Sequence, residues 1–243
     1  MTEKLLSIQP QIDIVKDNYK CVRDRVAEAA IKSGRAAEDV RLMVVTKTVD
    51  PVFINAVIEE GADLIGENRV QELLGKMPEL HLQGVQKHLI GHLQKNKVRQ
   101  IVGKVDMIQS VDSIELAREI SKRSEMLGIT TPVLVEVNIG EEASKFGVKS
   151  THLEAFLEEI SALDAIAVEG LMAIPPICEK SEQIRAFFSQ MHQLFIDFSP
   201  KIFNNINMNV LSMGMSGDYE EAIAEGATLV RVGSAIFGPR IYR

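Results

Sequence analysis

Eight β-rich segments separated by stretches of helix length constrain the fold of this chain more than any other feature. The segments are RLMVVTK, DLIGE, KHLIGHL, VDMIQSV, PVLVEVNI, AVEGLMAI, NVLSMG and TLVRVG. Helical patterns such as PVFINAVIEEG and THLEAFLEEISAL lie between them. Strands that alternate with helices form parallel sheets through right-handed crossovers, and near-continuous apolar strands are covered on both faces. Eight such units predict an α/β fold, a (β/α)₈ barrel of the TIM type.

An additional helix is predicted before the first strand. Apolar residues recur at i, i+3 and i+4 spacing from Ile12 to Ala29, and Gly34 supplies a stop, so we expect a helix over about residues 8–34. No linker or low-complexity segment interrupts the chain, and residues 1–243 are therefore expected to form one domain.

A weak internal repeat also favours the barrel. EEGADLIGEN and AEGATLVRVG share a helix end, a glycine and a strand, with Gly61 and Gly226 at the expected C-terminal caps. The alternative is an open doubly wound sheet, which normally carries a G-x-G-x-x-G turn after its first strand. No such turn follows VVTK.

Composition excludes several classes of protein. The net charge of −7 argues against a general affinity for nucleic acid or for anionic membranes. No signal-peptide core and no apolar run of membrane-spanning length occurs. Cys21 and Cys178 form neither a metal motif nor a disulfide framework. A cytoplasmic protein without a metal site is expected.

Lys47 is the first candidate functional residue. Active sites of such barrels lie at the C-terminal ends of the strands, and the first segment ends in this lysine. Apolar walls and a nearby arginine would depress the pKa of its ammonium and make the amine nucleophilic toward carbonyls, as in a Schiff-base lysine. The alternative is a lysine that leaves the strand for solvent.

The last two βα units predict a phosphate site. In SMGMSGDYEEAI and RVGSAIFG, small residues follow the strands directly, so backbone N–H groups can approach an anion. The hydroxyls of Ser212, Ser216 and Ser234 can donate hydrogen bonds, and Asp218 begins a D-x-x-E helix start. The alternative is that both segments are ordinary turns and caps.

Arg231 completes a set suited to pyridoxal phosphate. A buried arginine needs an acceptor, which could be a carboxylate such as Glu67 or Glu136, or a ring nitrogen of a ligand. A lysine for the aldehyde, an arginine for the ring nitrogen and a phosphate site are the three attachments that pyridoxal phosphate requires. Asn68 could hydrogen-bond the ring hydroxyl or the imine region, or could simply cap a turn.

Five motifs resemble those of the pyridoxal phosphate homeostasis proteins. They are VVTKTV, GENRVQE, HLIGHLQKNK, SMGMSGDYEEAI and RVGSAIFG, and together they extend over nearly the whole chain. The resemblance implies an alanine-racemase-like barrel that carries pyridoxal 5′-phosphate on Lys47, with Arg231 facing the pyridine nitrogen. It implies phosphate contacts from Ser212, Met213, Ser216, Gly233 and Ser234, and it leaves His92 without a role.

We expect a cofactor carrier rather than an enzyme. An arginine at the pyridine nitrogen does not fully protonate the ring, which weakens the electron sink that carbanion chemistry needs. This argues against decarboxylases and transaminases. Racemases of this fold tolerate the arginine but, as the resemblance implies, take a second base from an additional β domain, whereas here the barrel extends to GPRIYR. Neither Tyr219 nor Tyr242 is a convincing second base.

The expected partners are pyridoxal phosphate and the apo-enzymes that receive it, with the chain a monomer or weak dimer. Three alternatives remain open: an amino-acid racemase of the same fold, a cofactor-free Schiff-base aldolase, and a barrel whose polar mouth residues are only caps and ion pairs.

Overall fold

Eight parallel strands close into a barrel in the order of the chain, which confirms the predicted fold. The computed structural model describes residues 3–142, 144–178, 180–201 and 204–239, with side chains from residue 7 onward. The strands are β1 (Arg41–Val45), β2 (Leu64–Glu67), β3 (Gln86–Leu89), β4 (Met107–Val111), β5 (Thr131–Val137), β6 (Ile166–Ala173), β7 (Ile206–Ser212) and β8 (Leu229–Val232). Because β1 pairs with both β2 and β8, the open doubly wound alternative is wrong.

Helices follow the strands and cover the outside of the barrel. They are α1 (Glu3–Lys32), α2 (Pro51–Glu59), α3 (Val70–Lys76), α4 (Val98–Ile101), α5 (Ile114–Leu127), α6 (Leu153–Ile160), α7 (Ser181–Phe198), α8 (Tyr219–Ala224) and α9 (Ser234–Phe237). In the described part of the chain, none of them combines the length and the apolar character that crossing a membrane requires.

The predicted N-terminal helix is present as α1, with different ends. It begins at Glu3 rather than near residue 8, it ends at Lys32, and Pro10 lies inside it. A proline is tolerated best in the first turn of a helix, so Pro10 predicts a helix that begins close to it. The helix in the structure begins earlier, at Glu3. The apolar stripe from Ile12 to Val26 is buried, and α1 packs against α2, α8 and α9.

Side chains alternate between the two faces of the barrel wall. Outward-facing residues such as Val44, Ile108 and Val230 join the main core between strands and helices. Inward-facing apolar residues fill the interior in two clusters: Met43, Val45, Leu64, Ile90 and Leu229 in one, and Met107, Leu134 and Met172 in the other. The interior is therefore packed rather than hollow, as expected for an eight-stranded barrel.

The repeated helix–glycine–strand unit takes the predicted form in both places. Gly61 after α2 has φ +98° and Gly226 after α8 has φ +101°. Glycine reaches this left-handed region without steric cost, and each residue reverses the chain from a helix into the following strand.

Candidate functional site

Lys47 lies at the C-terminal end of β1, on the rim of a cavity of about 760 Å³. Lys47 is half-buried, and Gly233 and Ser234 after β8 line the same cavity. Because β1 and β8 are paired, the residues that follow them meet at this edge of the barrel. Three of the predicted site residues are thus brought together.

The apolar part of the lining of this cavity was not predicted. It is formed by Ile8 and Val15 of α1, by Phe53 of α2 and by Phe237 of α9. The apolar stripe of α1 has the pattern of any packed helix, so nothing in its sequence distinguishes the residues that reach the cavity from those that fill the core. This lining gives the cavity an apolar side.

The backbone around Lys47 is strained and held from α3. Thr48 has φ +62°, an unusual value for a β-branched residue. Its N–H donates to the carboxylate of Glu72, and its hydroxyl donates to the carbonyl of Lys47 at 2.6 Å. Strain of this kind persists only where surrounding contacts enforce it.

A buried ion pair lies directly behind Lys47. Lys76 Nζ is 3.1 Å from Glu67 Oε2 and donates to the carbonyl of Thr46 at 2.8 Å. Burial raises the pKa of Glu67, and Lys76 offsets this only in part. Glu67 was one of the carboxylates considered as a partner of Arg231. In the structure its carboxylate pairs with Lys76 of α3.

Arg231 points into the barrel interior and is 4% exposed. Its Nη1 donates to Ser212 Oγ at 2.7 Å and its Nη2 donates to the carbonyl of Ala173 at 2.9 Å. Burial lowers the pKa of Arg231 to about 10, while the charges of Glu136 and Asp218 raise it. The guanidinium therefore stays protonated at neutral pH.

Glu136 acts on Arg231 through space. Burial raises the pKa of Glu136 to about 7, the charge of Asp112 raises it further, and Arg231 lowers it. A carboxyl group that is half protonated near neutrality inside a barrel mouth is a feature of functional sites, although structural networks also produce it.

Ser216 and the loop after β8, both expected at an anion, are hydrogen-bonded to each other. The N–H groups of Gly233 and Ala235 both point to Ser216 Oγ, at 3.1 and 3.3 Å. These two amides converge on one oxygen, which is how backbone donors bind an oxygen of an anion. The Asp218 carboxylate, predicted to cap α8, accepts instead from the N–H of Met215 at 2.6 Å.

Two residues expected at the phosphate have side chains in different surroundings. Ser212 is fully buried and faces inward, where its hydroxyl binds Arg231 and Gln109. The side chain of Met213 is fully buried in the outer core, and its N–H donates to the carbonyl of Leu229 at 3.1 Å. Consecutive residues at a strand end point their side chains to opposite faces, so these two side chains lie on different sides of the barrel wall.

Asn68 provides a test of whether a ligand fits here. It is half-buried beside the end of β2, and its N–H donates to Glu67 at 2.8 Å. Its Oδ1 is buried and has no hydrogen-bond partner among the described residues. A buried acceptor without a donor is costly, and it indicates a place where a bound group can supply one.

A polar series inside the barrel was missed from the sequence. Ser212 Oγ donates to Gln109 Oε1 at 2.8 Å, and Gln109 Nε2 lies 2.9 Å from His88 Nδ1. Gln109 sits in the apolar strand β4 and belongs to none of the five motifs, whereas His88 on β3 begins the motif HLIGHLQKNK but had no predicted role. Only the alternation of inward and outward positions could have indicated that they face the same interior as Arg231.

The remaining candidates lie away from the cavity of Lys47. His92 is an exposed loop residue that pairs with Asp112 at 3.1 Å and stacks on Phe146 with ring centroids 3.6 Å apart. Tyr219 begins α8 and packs beneath Arg25 of α1. Tyr242 lies outside the described residues.

Known proteins share both the sequence and the shape of this barrel. The family model of the alanine racemase N-terminal domain matches residues 14–240. The pyridoxal phosphate homeostasis protein of Aquifex aeolicus is 41% identical over 91% of this chain and 96% of its own length.

Two solved structures resemble the chain over most of its length. A protein of unknown function from Bifidobacterium adolescentis has a TM-score of 0.88 at 40% identity, with 94% of this chain and 96% of that chain covered. PipY of Synechococcus elongatus PCC7942, solved with PLP bound, has a TM-score of 0.77 at 33% identity, with 88% of this chain and 100% of that chain covered. The chain therefore belongs to the alanine racemase N-terminal domain family and, within it, to the pyridoxal phosphate homeostasis proteins.

Proposed function

We propose that this protein binds pyridoxal 5′-phosphate, holds it as a Schiff base on Lys47, and takes part in its intracellular homeostasis without enzymatic turnover. The chain acts as one domain in the cytoplasm, as a monomer or weak dimer, and hands the cofactor to apo-enzymes that need it. It does not act on nucleic acid or membranes.

The observation that carries the proposal is the shared cavity of Lys47, Gly233 and Ser234. An amine and a pair of small residues with backbone donors, lining one cavity, suit an aldehyde at one end of a ligand and a phosphate at the other. The relatives named for pyridoxal phosphate homeostasis, and PipY with PLP bound, support the same ligand.

The residues present fit that cofactor in three further respects. Arg231 retains N–H groups beyond the two used by Ser212 and Ala173, since a guanidinium carries five. The amides of Gly233 and Ala235 can turn from Ser216 Oγ to a phosphate oxygen. The unpaired Oδ1 of Asn68 can accept from a ligand donor. When bound, the cofactor supplies an aldehyde that combines reversibly with primary amines.

A carrier is favoured over decarboxylases and transaminases by Arg231, and over a racemase by the position of Tyr219. A protonated arginine donates a hydrogen bond to a ring nitrogen but keeps its own proton, so the ring remains a weak electron sink. Racemisation also needs a second base within hydrogen-bond reach of the substrate carbon. Tyr219, considered for that role, is buried against α1 on the outside of the barrel.

The visible absorption spectrum of the protein loaded with pyridoxal phosphate tests the attachment. Wild-type protein and Lys149→Ala, which changes an exposed lysine, should be yellow, bleach on borohydride reduction and carry the added mass on the Lys47 peptide. Lys47→Ala should lack both the colour and the mass. A wild type that stays colourless, or label on another lysine, would contradict the proposal.

An enantiomer assay tests the absence of turnover. Loaded protein incubated with L-alanine or L-serine should leave the enantiomer unchanged. Formation of the D-enantiomer that is lost in Lys47→Ala would show a racemase instead of a carrier.

A further inference from the structure

Four polar side chains form one hydrogen-bonded series across the interior of the barrel. Arg231 on β8 donates to Ser212 on β7, Ser212 donates to Gln109 on β4, and Gln109 contacts His88 on β3, at 2.7, 2.8 and 2.9 Å. Strands β4 and β7 are not neighbours, so the Ser212–Gln109 bond crosses the interior. We name these residues the interior series.

The interior series lies beside a layer of apolar side chains in the barrel interior. Gln109 and Ser212 are fully buried, and His88 is 3% exposed, while Met43, Leu134 and Met172 fill the layer nearby. Apolar residues of similar volume would fill the same space without the cost of removing amide, hydroxyl and imidazole groups from water. Packing alone therefore gives no reason for polar residues at these positions.

The hydrogen bonds of the interior series all run in one direction: each residue donates to the next, from Arg231 to His88. Ser212 uses its proton on Gln109 Oε1, so a lone pair of its oxygen is left facing Arg231. With Gln109 in this orientation, its N–H donates to His88 Nδ1, and the imidazole must be neutral with its proton on Nε2.

The surroundings of His88 keep it neutral. Burial lowers the pKa of His88 to about 4, the charges of Arg41 and Lys87 also lower it, and Asp106 opposes them. If His88 carried a proton on Nδ1, the Gln109 amide would have to reverse, and Ser212 would lose the acceptor that orients its hydroxyl.

We infer that His88 and Gln109 are positioning residues that act through Ser212 to hold the Arg231 guanidinium in place for the pyridine nitrogen of the cofactor. This inference rests on the proposed function. Neither residue touches the cofactor. Their contribution is to fix one side of the guanidinium, so that its remaining N–H groups keep a constant direction toward the ring.

Substitutions that keep volume and remove hydrogen bonds test the inference. Gln109→Met and His88→Leu should weaken pyridoxal phosphate binding about threefold to tenfold, the size expected when one or two neutral hydrogen bonds are lost. At full occupancy, both should shift the visible absorption maximum in the same direction as Arg231→Met. Borohydride should still attach the cofactor to Lys47 in each variant.

A conservative variant and a matched control separate positioning from general damage. His88→Asn places an amide oxygen near the position of Nδ1, so it should restore the wild-type spectrum and affinity. Ser124→Ala removes an equally buried hydroxyl, bonded to Thr131 at 2.6 Å, outside the interior series. It should lower stability but leave the spectrum and affinity unchanged.

Ring-nitrogen NMR of wild-type protein provides a measurement that needs no variant. His88 should be neutral with its proton on Nε2 between pH 5.5 and 8, with and without the cofactor. A proton on Nδ1, or wild-type spectra and affinities in both Gln109→Met and His88→Leu, would overturn the inference alone. A wild type that takes up no cofactor would contradict the proposed function as well.

Discussion

At the scale of single residues, the position of Lys47 depends on contacts that its own sequence segment does not contain. Thr46 is bonded to Lys76, and Thr48 is bonded to Glu72, so both neighbours of Lys47 are fastened to α3. The motif GENRVQE supplies Glu67, which the sequence suggested as a carboxylate partner of Arg231, and Glu72, for which it suggested no role. Their burial behind the lysine could not be seen before the barrel brought β1 and α3 together.

The strain at Thr48 leads to a stability prediction. Thr48→Asn should raise the free energy of unfolding by about 1 kcal/mol, because asparagine tolerates positive φ better than a β-branched residue does. Chemical denaturation measures this. The same substitution at the exposed Thr130, where φ is not positive, should give no gain. A clear loss of stability in Thr48→Asn would show that the threonine side chain contributes more than the strain costs.

The ion pair of Lys76 and Glu67 leads to a second stability prediction. Lys76→Met should cost about 3–5 kcal/mol, because it leaves the fully buried Glu67 carboxylate without its cation. Adding Glu67→Gln should recover most of that loss, since an amide oxygen can still accept from the N–H of Asn68. If the double variant is no more stable than Lys76→Met, the loss comes from packing rather than from an unpaired charge.

At the scale of elements, the pattern of apolar runs was sufficient to predict all eight strands and most helices. The segments PVFINAVIEEG and THLEAFLEEISAL predicted the extent of α2 and α6 to within a few residues. The start of α1 and the short α4 and α9 were not determined by local pattern, because their ends depend on packing against neighbouring elements. The irregularity of β6 was also not predicted.

Gly170 accounts for that irregularity. The register of β6 shifts beside it against both β5 and β7, and its φ is +144°. A Cβ at this position would lie 1.9 Å from the carbonyl oxygen of Val210. The bulge allows β6 to bend and bring Ala173 to Arg231, so this glycine contributes to the site from the middle of its strand.

Substitution of Gly170 should therefore disrupt the barrel. Gly170→Ala should lower the free energy of unfolding by about 3 kcal/mol or more, since both the φ value and the contact with backbone are forbidden to alanine. Gly75→Ala, in α3 with open space around its Cβ, should be neutral or raise stability by about 0.5–1 kcal/mol. Thermal and chemical unfolding measure both. An equal effect of the two substitutions would contradict the role of the bulge.

At the scale of the whole molecule, two buried groups with opposite titration behaviour balance one another. His88 has a pKa lowered to about 4, so only the unfolded chain takes up its proton as pH falls below 6.5, and stability then decreases. Glu136 has a pKa raised to about 7, so the unfolded chain loses its proton first as pH rises above 4.5, and stability decreases in that direction. Between pH 4.5 and 6.5 the two effects oppose each other.

Replacing either residue should reveal the pH dependence of stability that the other residue causes. Between pH 4.5 and 7, the free energy of unfolding of cofactor-free Glu136→Gln should rise by about 3 kcal/mol relative to that of wild type. The free energy of unfolding of His88→Asn should fall by about the same amount relative to wild type. Both values follow from 1.36 kcal/mol for each pKa unit. Denaturation at a series of pH values measures the difference. Parallel curves for wild type and both variants would show that neither group titrates as its burial predicts.

The sequence by itself determined the barrel and half of the candidate site. The period and spacing of apolar residues are local properties, so eight β-rich runs predicted eight strands. The rule that strand ends meet at one face then selected Lys47, Gly233 and Ser234. The tertiary structure alone decided which polar residues share an interior. Ser212 and Gln109 are far apart in the chain and touch only because the sheet closes, and Met213 faces the outer core because its neighbour faces inward. Closure of the sheet is a long-range event, and no local pattern encodes which inward-facing side chains it brings into contact.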